Sequence, residues 1–425
     1  MDSDFRPIKR PVRPSPSDTA QTSKPPLPNK SFHTPEEVAA VDDITTPAPL
    51  AELPAMTDEH LSPKKTTSWR DKFRLQWPPG QKEWLASAIV VVVCGSIIGL
   101  VLTHTGPKPV ASAIKVTKPK PVPKPTTVPS TLTGLPVDPS VNQRPVTGVM
   151  IENTTFARPQ SGLGQAGVVF EAIAEGGVTR FLALFQDTAP SNIGPVRSAR
   201  PYYIQWAMGF DAAYAHVGGS QDGLADIKAW GVKDLDEFAN AGAYHRISSR
   251  AAPHNMYTSI AALNQLETSK GYTTSNFTGF PRKPEAPSKT PNARSINLTL
   301  SGPVYNAHYD YNAATNSYNR SEGGAPHIDA NTNQQISPKV VVAMVVPMTR
   351  GALDSSGAYY SNYASVGSGA VYVFQDGLVT TGQWSKPSNT AQITLTDASG
   401  QPLKLNPGQT WITAVIANND VSYSP

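Results

Sequence analysis

The sequence predicts an α/β (or α+β) sandwich domain followed by a smaller β-rich module, with a single N-terminal transmembrane helix ahead of both. Three observations predict it. One uncharged apolar run, WLASAIVVVVCGSIIGLVL from Trp84 to Leu102, stands alone between polar, Pro-rich flanks. Downstream, β-branched runs alternate with short helix-length segments as far as about residue 270. Beyond a Pro/Ser/Thr/Asn-rich boundary at 270–295, nearly all the apolar runs are strand-like.

Residues 1–80 are rich in Pro, Ser, Thr and charge, with no sustained apolar period, and predict a disordered cytoplasmic tail. The run from Trp84 to Leu102 follows. At about 1.5 Å rise per residue it is long enough for the hydrocarbon core of a bilayer, and Trp84 suits the interface. Lys64, Lys65, Arg70, Lys72, Arg74 and Lys82 precede it, against Lys108, Lys115, Lys118 and Lys120 after it. This bias predicts a single-pass protein of the cell membrane, N-terminus cytoplasmic and C-terminal part extracytoplasmic. The sole cysteine, Cys94, lies inside the run, so a disulfide within one chain is excluded. Val91, Val92 and Val93 before it lack the small residues of a lipoprotein cleavage site, so Cys94 reads as an apolar membrane residue. Residues 106–142 contain KPKPVPKPTTVP, which predicts an extended, charged extracytoplasmic spacer. A net charge of +4 over 425 residues gives no basic footprint for nucleic acid.

An α/β domain is expected over 144–270. Its strands are Val146 to Ile151, Gly167 to Glu175, Val178 to Gln186 and Ala212 to Val217, with Gly176-Gly177 as a hairpin turn. Its helices run from a cap at Ser198 to Met208, from Gln221 to Trp230 and from Ser259 to Ser269. The β-rich module is expected over 295–420, with strands at Val304 to Tyr311, Lys339 to Val346, Gly369 to Phe374 and Trp411 to Ile416. Turns are expected at Asp376-Gly377 and Asn406-Pro407-Gly408.

Several ordered runs carry a family resemblance: ARPQSGLGQAGVVFEAIAEGGVTRFLALF, IGPVRSARPY, HVGGS and the APHNMY run, then GGAPHIDA, GSGAVYVFQDGLVTTGQW and LNPGQTWI. Over roughly 144–418 the chain resembles the YerB-like family of bacterial envelope lipoproteins. That resemblance implies an envelope location and no established reaction. The chain departs from lipoproteins in having no lipidation cysteine after its apolar segment. A weaker resemblance, to the LytR-CpsA-Psr phosphotransferases, rests on the order of arginine-bearing strands and loops. Their Arg-Ser-Asp signature is missing here, since Phe181 and Leu182 follow Arg180.

The densest polar group comprises Arg180, Arg197, Arg200, His216, Arg246 and Arg250. If these converge they form an anion site, because guanidinium forks match phosphate and Gly218-Gly219 lets backbone approach a ligand. If they do not, they are separate charges paired with acids such as Glu171, Glu175, Asp211 and Asp222. Glu171 and Glu175 are an even number apart in one expected strand, hence on one face, where they would act as an acid/base pair or hold a cation. His254 after Pro253 reads as a helix-start residue. The histidines have no metal-ligand spacing, so no metal and no cofactor are expected, with Mg²⁺ unsupported by any motif. Two functions compete. One is the binding or processing of phosphorylated, lipid-linked cell-wall glycans, with a polyprenyl-phosphate ligand held by the arginines. The other is a non-catalytic envelope scaffold or regulator binding glycan or protein through an exposed apolar patch, with Trp384 or Tyr372 as candidates.

Overall fold

A computed structural model describes residues 126–354 and 356–425. The cytoplasmic tail, the transmembrane run and most of the spacer expected from the sequence lie outside the described residues. Among the described residues no helix is long and apolar enough to cross a membrane.

The fold is organised by one sheet of 12 strands. From one edge its order is Thr394–Asp397, Leu378–Lys386, Gly367–Gln375, Val340–Val345, Thr410–Val415, Val168–Glu175, Val178–Phe185, Thr147–Glu152, Ala213–Ala215 and Lys233–Asp234. A hairpin of Met348–Leu353 and Tyr359–Tyr363 joins through Tyr360, opposite Glu175. The stretches 144–270 and 295–420 therefore meet inside a single sheet. The seam is Thr410–Val415, which runs parallel both to Val340–Val345 and to Val168–Glu175. The α/β character expected of the first stretch gives way to a β-rich fold. Its α-helices among the described residues are Pro201–Met208, Gln221–Ala229 and Ile260–Ser269.

The central strands are apolar on both sides because both faces are covered. In Val340–Val345, Val340, Val342 and Met344 join one core cluster, and Val341 and Ala343 join the other. The first cluster is closed by Tyr202, Tyr203, Ile204 and Trp206 of helix Pro201–Met208. The second is closed by Ile260 and Leu263 of helix Ile260–Ser269, and by Ile296, Leu298, Tyr309 and Tyr318 of a second sheet. That sheet has five strands in the order Ala325–Pro326, Ser317–Glu322, Ala307–Asn312, Ser295–Leu298 and Val421–Ser424.

Local signals explain most element ends. Gly176 and Gly177 both take positive φ, at 56° and 82°, as a tight hairpin turn demands. Ser220 and Ser259 cap their helices by accepting from the amides of Gly223 and Ala262. One cap differs from expectation. The helix ending at Met208 starts at Pro201, with Arg200 rather than Ser198 at its cap. Proline is favoured in the first helical position, and it biases the residue before it towards extended backbone. Nor does a helix begin at His254, which lies in a turn leading into strand Met256–Thr258.

Candidate functional site

The six side chains singled out as an anion site do not close on one pocket. Arg180 and Arg200 meet, but around a carboxylate of their own chain. Glu175 accepts from Arg180, and from Arg200 Nε and Nη2 at 3.0 and 2.6 Å. Both arginines are about 95% buried, at 5% and 4% exposure. Arg180 also donates to the Ser198 carbonyl at 3.2 Å, and Arg200 lies over the Tyr360 ring. Burial pulls the Arg200 guanidinium below its ordinary range and the Arg180 charge adds to this, with Glu175 opposing. Beside Arg200 opens a cavity of about 230 Å³, lined also by Asp222, Asp354 and Tyr360, so carboxylates face it too. Arg246 donates to Asn255 at 2.7 Å, and Arg250 ties down the 157–159 loop through the carbonyls of Ala157 and Pro159. His216 is buried, with Nδ1 against the Gly218 carbonyl at 2.8 Å and Nε2 against Asp234 at 3.0 Å. Both partners are acceptors, so both ring nitrogens are called on to donate. Burial pushes the Asp234 carboxyl up, but the His216 hydrogen bond and charge outweigh it and hold the group low.

Glu171 and Glu175 do not share a face. The pairing of Val168–Glu175 with Val178–Phe185 shifts register between Ile173 and Glu175. One extra residue in a strand reverses the alternation beyond it. Glu175 therefore reaches Arg180 and Arg200, whereas Glu171 points into the opposite layer. There it accepts from Arg320 at 2.8 Å, from Trp411 Nε1 at 2.9 Å and from Thr413 at 3.1 Å. Arg320 is fully buried and also donates to Tyr309 at 2.7 Å and to His327 Nδ1 at 2.9 Å. Since His327 Nδ1 accepts, its Nε2 carries the proton and donates to Gln160 at 3.0 Å. Burial, with Arg320 and Arg158 adding to it, pushes the His327 ring well below its usual range, consistent with a neutral ring. This closed network binds the second sheet to the first and leaves no part of Arg320 for a ligand.

Arg197 is the exception among the six. Its guanidinium makes no hydrogen bond among the described residues, although Nε is buried and only 3.4 Å from Glu152 Oε1. Glu152, 1% exposed, ends strand Thr147–Glu152. Its Oε1 accepts from Thr154 at 2.9 Å and faces His254 Nδ1 at 2.8 Å, while its Oε2 is buried with no partner. The contact of His254 Nδ1 with Glu152 leaves the other ring nitrogen, Nε2, without a partner among the described residues. The Phe156 ring lies 5.3 Å from that of His254 and is 73% exposed. On the other side, the Arg197 carbonyl accepts from Val217. The next residue, Gly218, lies against the ring of Phe238, which is 76% exposed. One bare phenyl ring, Phe156, thus borders a polar floor of Arg197, Glu152 and His254, while Phe238 packs on the backbone of Gly218, next in the chain after Val217. Glu152, Phe156 and Phe238 were not singled out from the sequence. The one signal for Glu152 was a carboxylate closing an apolar strand. Trp384, by contrast, is core: it is 1% exposed and donates to the Val345 carbonyl at 2.9 Å, while Tyr372 is half-buried.

Comparison with known proteins bears on the whole described region. Residues 132–273 match the family model described as "Protein of unknown function (DUF3048) N-terminal domain", and residues 296–412 match its C-terminal domain. The protein described as "Putative lipoprotein YerB" of Bacillus subtilis (strain 168) is 32% identical over 289 residues, covering 67% of this chain and 85% of that one. The chain belongs to the YerB (DUF3048) family. The crystal structure of Bacillus subtilis YerB superposes with a TM-score of 0.62 at 28% identity, over 70% of this chain and 100% of that one. The DUF3048 boundary at 273–296 falls in the stretch between helix Ile260–Ser269 and strand Ser295–Leu298. The LytR-CpsA-Psr likeness rested on the order of the arginines, and in this YerB-family fold Arg180 and Arg200 share Glu175 while Arg246 and Arg250 go to other internal acceptors, so the arginines do not gather on one site.

Proposed function

We propose that this chain is a non-catalytic binding protein of the cell envelope, held outside the cytoplasm by the apolar segment Trp84 to Leu102, and that the Arg197 face contacts cell-wall material. The location draws on the sequence of that segment and on the YerB relative being described as a putative lipoprotein. The observation that carries the binding reading is a buried carboxylate oxygen, Glu152 Oε2, left without a partner beside a guanidinium that is also unbonded. Buried polar atoms are normally satisfied, and an orphaned pair at a half-open surface marks a place where a ligand or water completes the bonds. A phosphate clamp at Arg180 and Arg200 is disfavoured, because an incoming dianion would have to displace Glu175.

The test is sedimentation of the full chain, in detergent micelles, with isolated cell-wall sacculi. Retention is expected for the native chain and its loss for Arg197→Ala. Failure of the native chain to sediment would overturn the reading. A thermal midpoint raised by a polyprenyl pyrophosphate analogue, and no longer raised in Arg200→Ala, would replace it with the phosphate clamp.

A further inference from the structure

We infer that the Arg197 face is a saccharide site, its floor bonding hydroxyls through Glu152, Arg197 and His254 and its rim stacking a sugar ring on Phe156. This rests on the reading of that face as the ligand-contacting surface. It goes further in naming what the ligand is.

The hydrogen-bond inventory favours hydroxyls. The floor offers an orphaned acceptor in Glu152 Oε2, an unbonded donor fork in Arg197, and the unpartnered ring nitrogen His254 Nε2. A ligand must therefore donate and accept within one small area. Each sugar hydroxyl does both, whereas a phosphate or carboxylate offers acceptors only. Charge points the same way. Arg197 and Glu152 stand 3.4 Å apart and cancel, so a neutral ligand incurs no unpaired buried charge, and a phosphate would meet the Glu152 carboxylate.

The rim supplies the apolar half. Phe156 is 73% exposed, far more than a bulky phenyl ring need be in a fold whose other large aromatics include Trp206, Trp384 and Trp411 at 1% or less. The ring is backed by the His254 imidazole at 5.3 Å. The C–H face of a pyranose packs on such a ring, while its hydroxyl edge turns to the floor. A peptide chain is the rival ligand. Its backbone also donates and accepts, but it does not call for an exposed flat ring beside the floor.

The test uses the full chain in micelles bound to sacculi, displaced by either of two soluble probes: a tetrasaccharide of β-1,4-linked N-acetylglucosamine, or a cell-wall stem peptide. The tetrasaccharide is expected to displace the native chain, and Phe156→Ala to weaken its binding by about tenfold, roughly the loss of one stacking contact. Phe156 is exposed enough that this variant keeps its thermal midpoint, which separates a binding loss from misfolding. If retention depends on Phe156 and Arg197 but only the stem peptide displaces, the saccharide assignment fails and the binding face stands. If retention is indifferent to both residues, the face itself is wrong and the assignment falls with it.

Discussion

Arg320 Nη2 lies 2.8 Å from Glu171 Oε1 with both side chains at 0% exposure, and this pair joins two strands 149 residues apart in the chain. Arg320 is enclosed by Trp411, Tyr309 and Phe181, its guanidinium carbon 4.5, 5.3 and 5.9 Å from their ring centres. An ion pair so placed is costly to desolvate and costlier to break, because either partner alone becomes an uncompensated buried charge. Glu171→Ala is therefore expected to lower the unfolding free energy by roughly 3–5 kcal/mol in urea titration. The double variant Glu171→Leu/Arg320→Met, which removes both charges and fills the space, should recover most of that loss. Equal losses in single and double variants would mean that the pair does not act as a unit.

Glu175 serves two guanidinium groups at once, and its removal should unmask them. In Glu175→Ala, Arg180 and Arg200 face each other with no carboxylate between them. The variant is expected to be less stable than the native chain, and to regain stability with added inorganic phosphate while the native chain does not. Differential scanning calorimetry with and without phosphate reads both effects. A native chain that responds as strongly as the variant would contradict the internal pairing.

Glu267 gives a pH signature. It is fully buried, and burial pushes its carboxyl up from 4.5 to about 7, against the lowering effects of the Thr147 hydrogen bond at 2.7 Å and of Lys233. The folded state then holds the proton more tightly than the unfolded chain does. Between about 4.5 and 7 the folded state binds more protons, so this group's contribution to stability is full below 4.5 and falls as pH rises through 7. The loss is on the order of 3 kcal/mol at most. Glu267→Gln keeps the shape and removes the titration. Its unfolding free energy should lose this slope and exceed that of the native chain above pH 7, as chemical denaturation across pH would read.

Gly279 tests a close backbone approach. It takes φ of 72°, and a Cβ there would collide with the Thr131 carbonyl. Gly279→Ala combines left-handed strain with that clash, and a loss above about 1 kcal/mol is expected by urea unfolding. A neutral result would mean that the 131–133 segment can shift away without cost.

The sequence alone determined much of the element list, because local patterns have local causes. Runs such as VVVAMVV needed burial on both sides, the Gly176-Gly177 turn needed positive φ, and Ser220 and Ser259 supplied cap oxygens. The segment Trp84 to Leu102 stayed a statement about sequence, outside the described residues. Tertiary structure decided everything that depended on a partner distant in sequence. It placed Thr410–Val415 between strands from both halves, making one sheet where composition suggested two units. It put a register shift after Ile173, which sent Glu175 to one face and left Glu171 on the other. It also sorted the arginines, giving Arg180 and Arg200 a shared carboxylate, Arg246 and Arg250 neutral acceptors, and Arg197 an unfilled place beside Glu152. Residue type shows that a guanidinium needs a partner. Which group meets it is fixed by strand register and sheet order, and those are settled only when the hydrophobic faces of the whole chain close on each other.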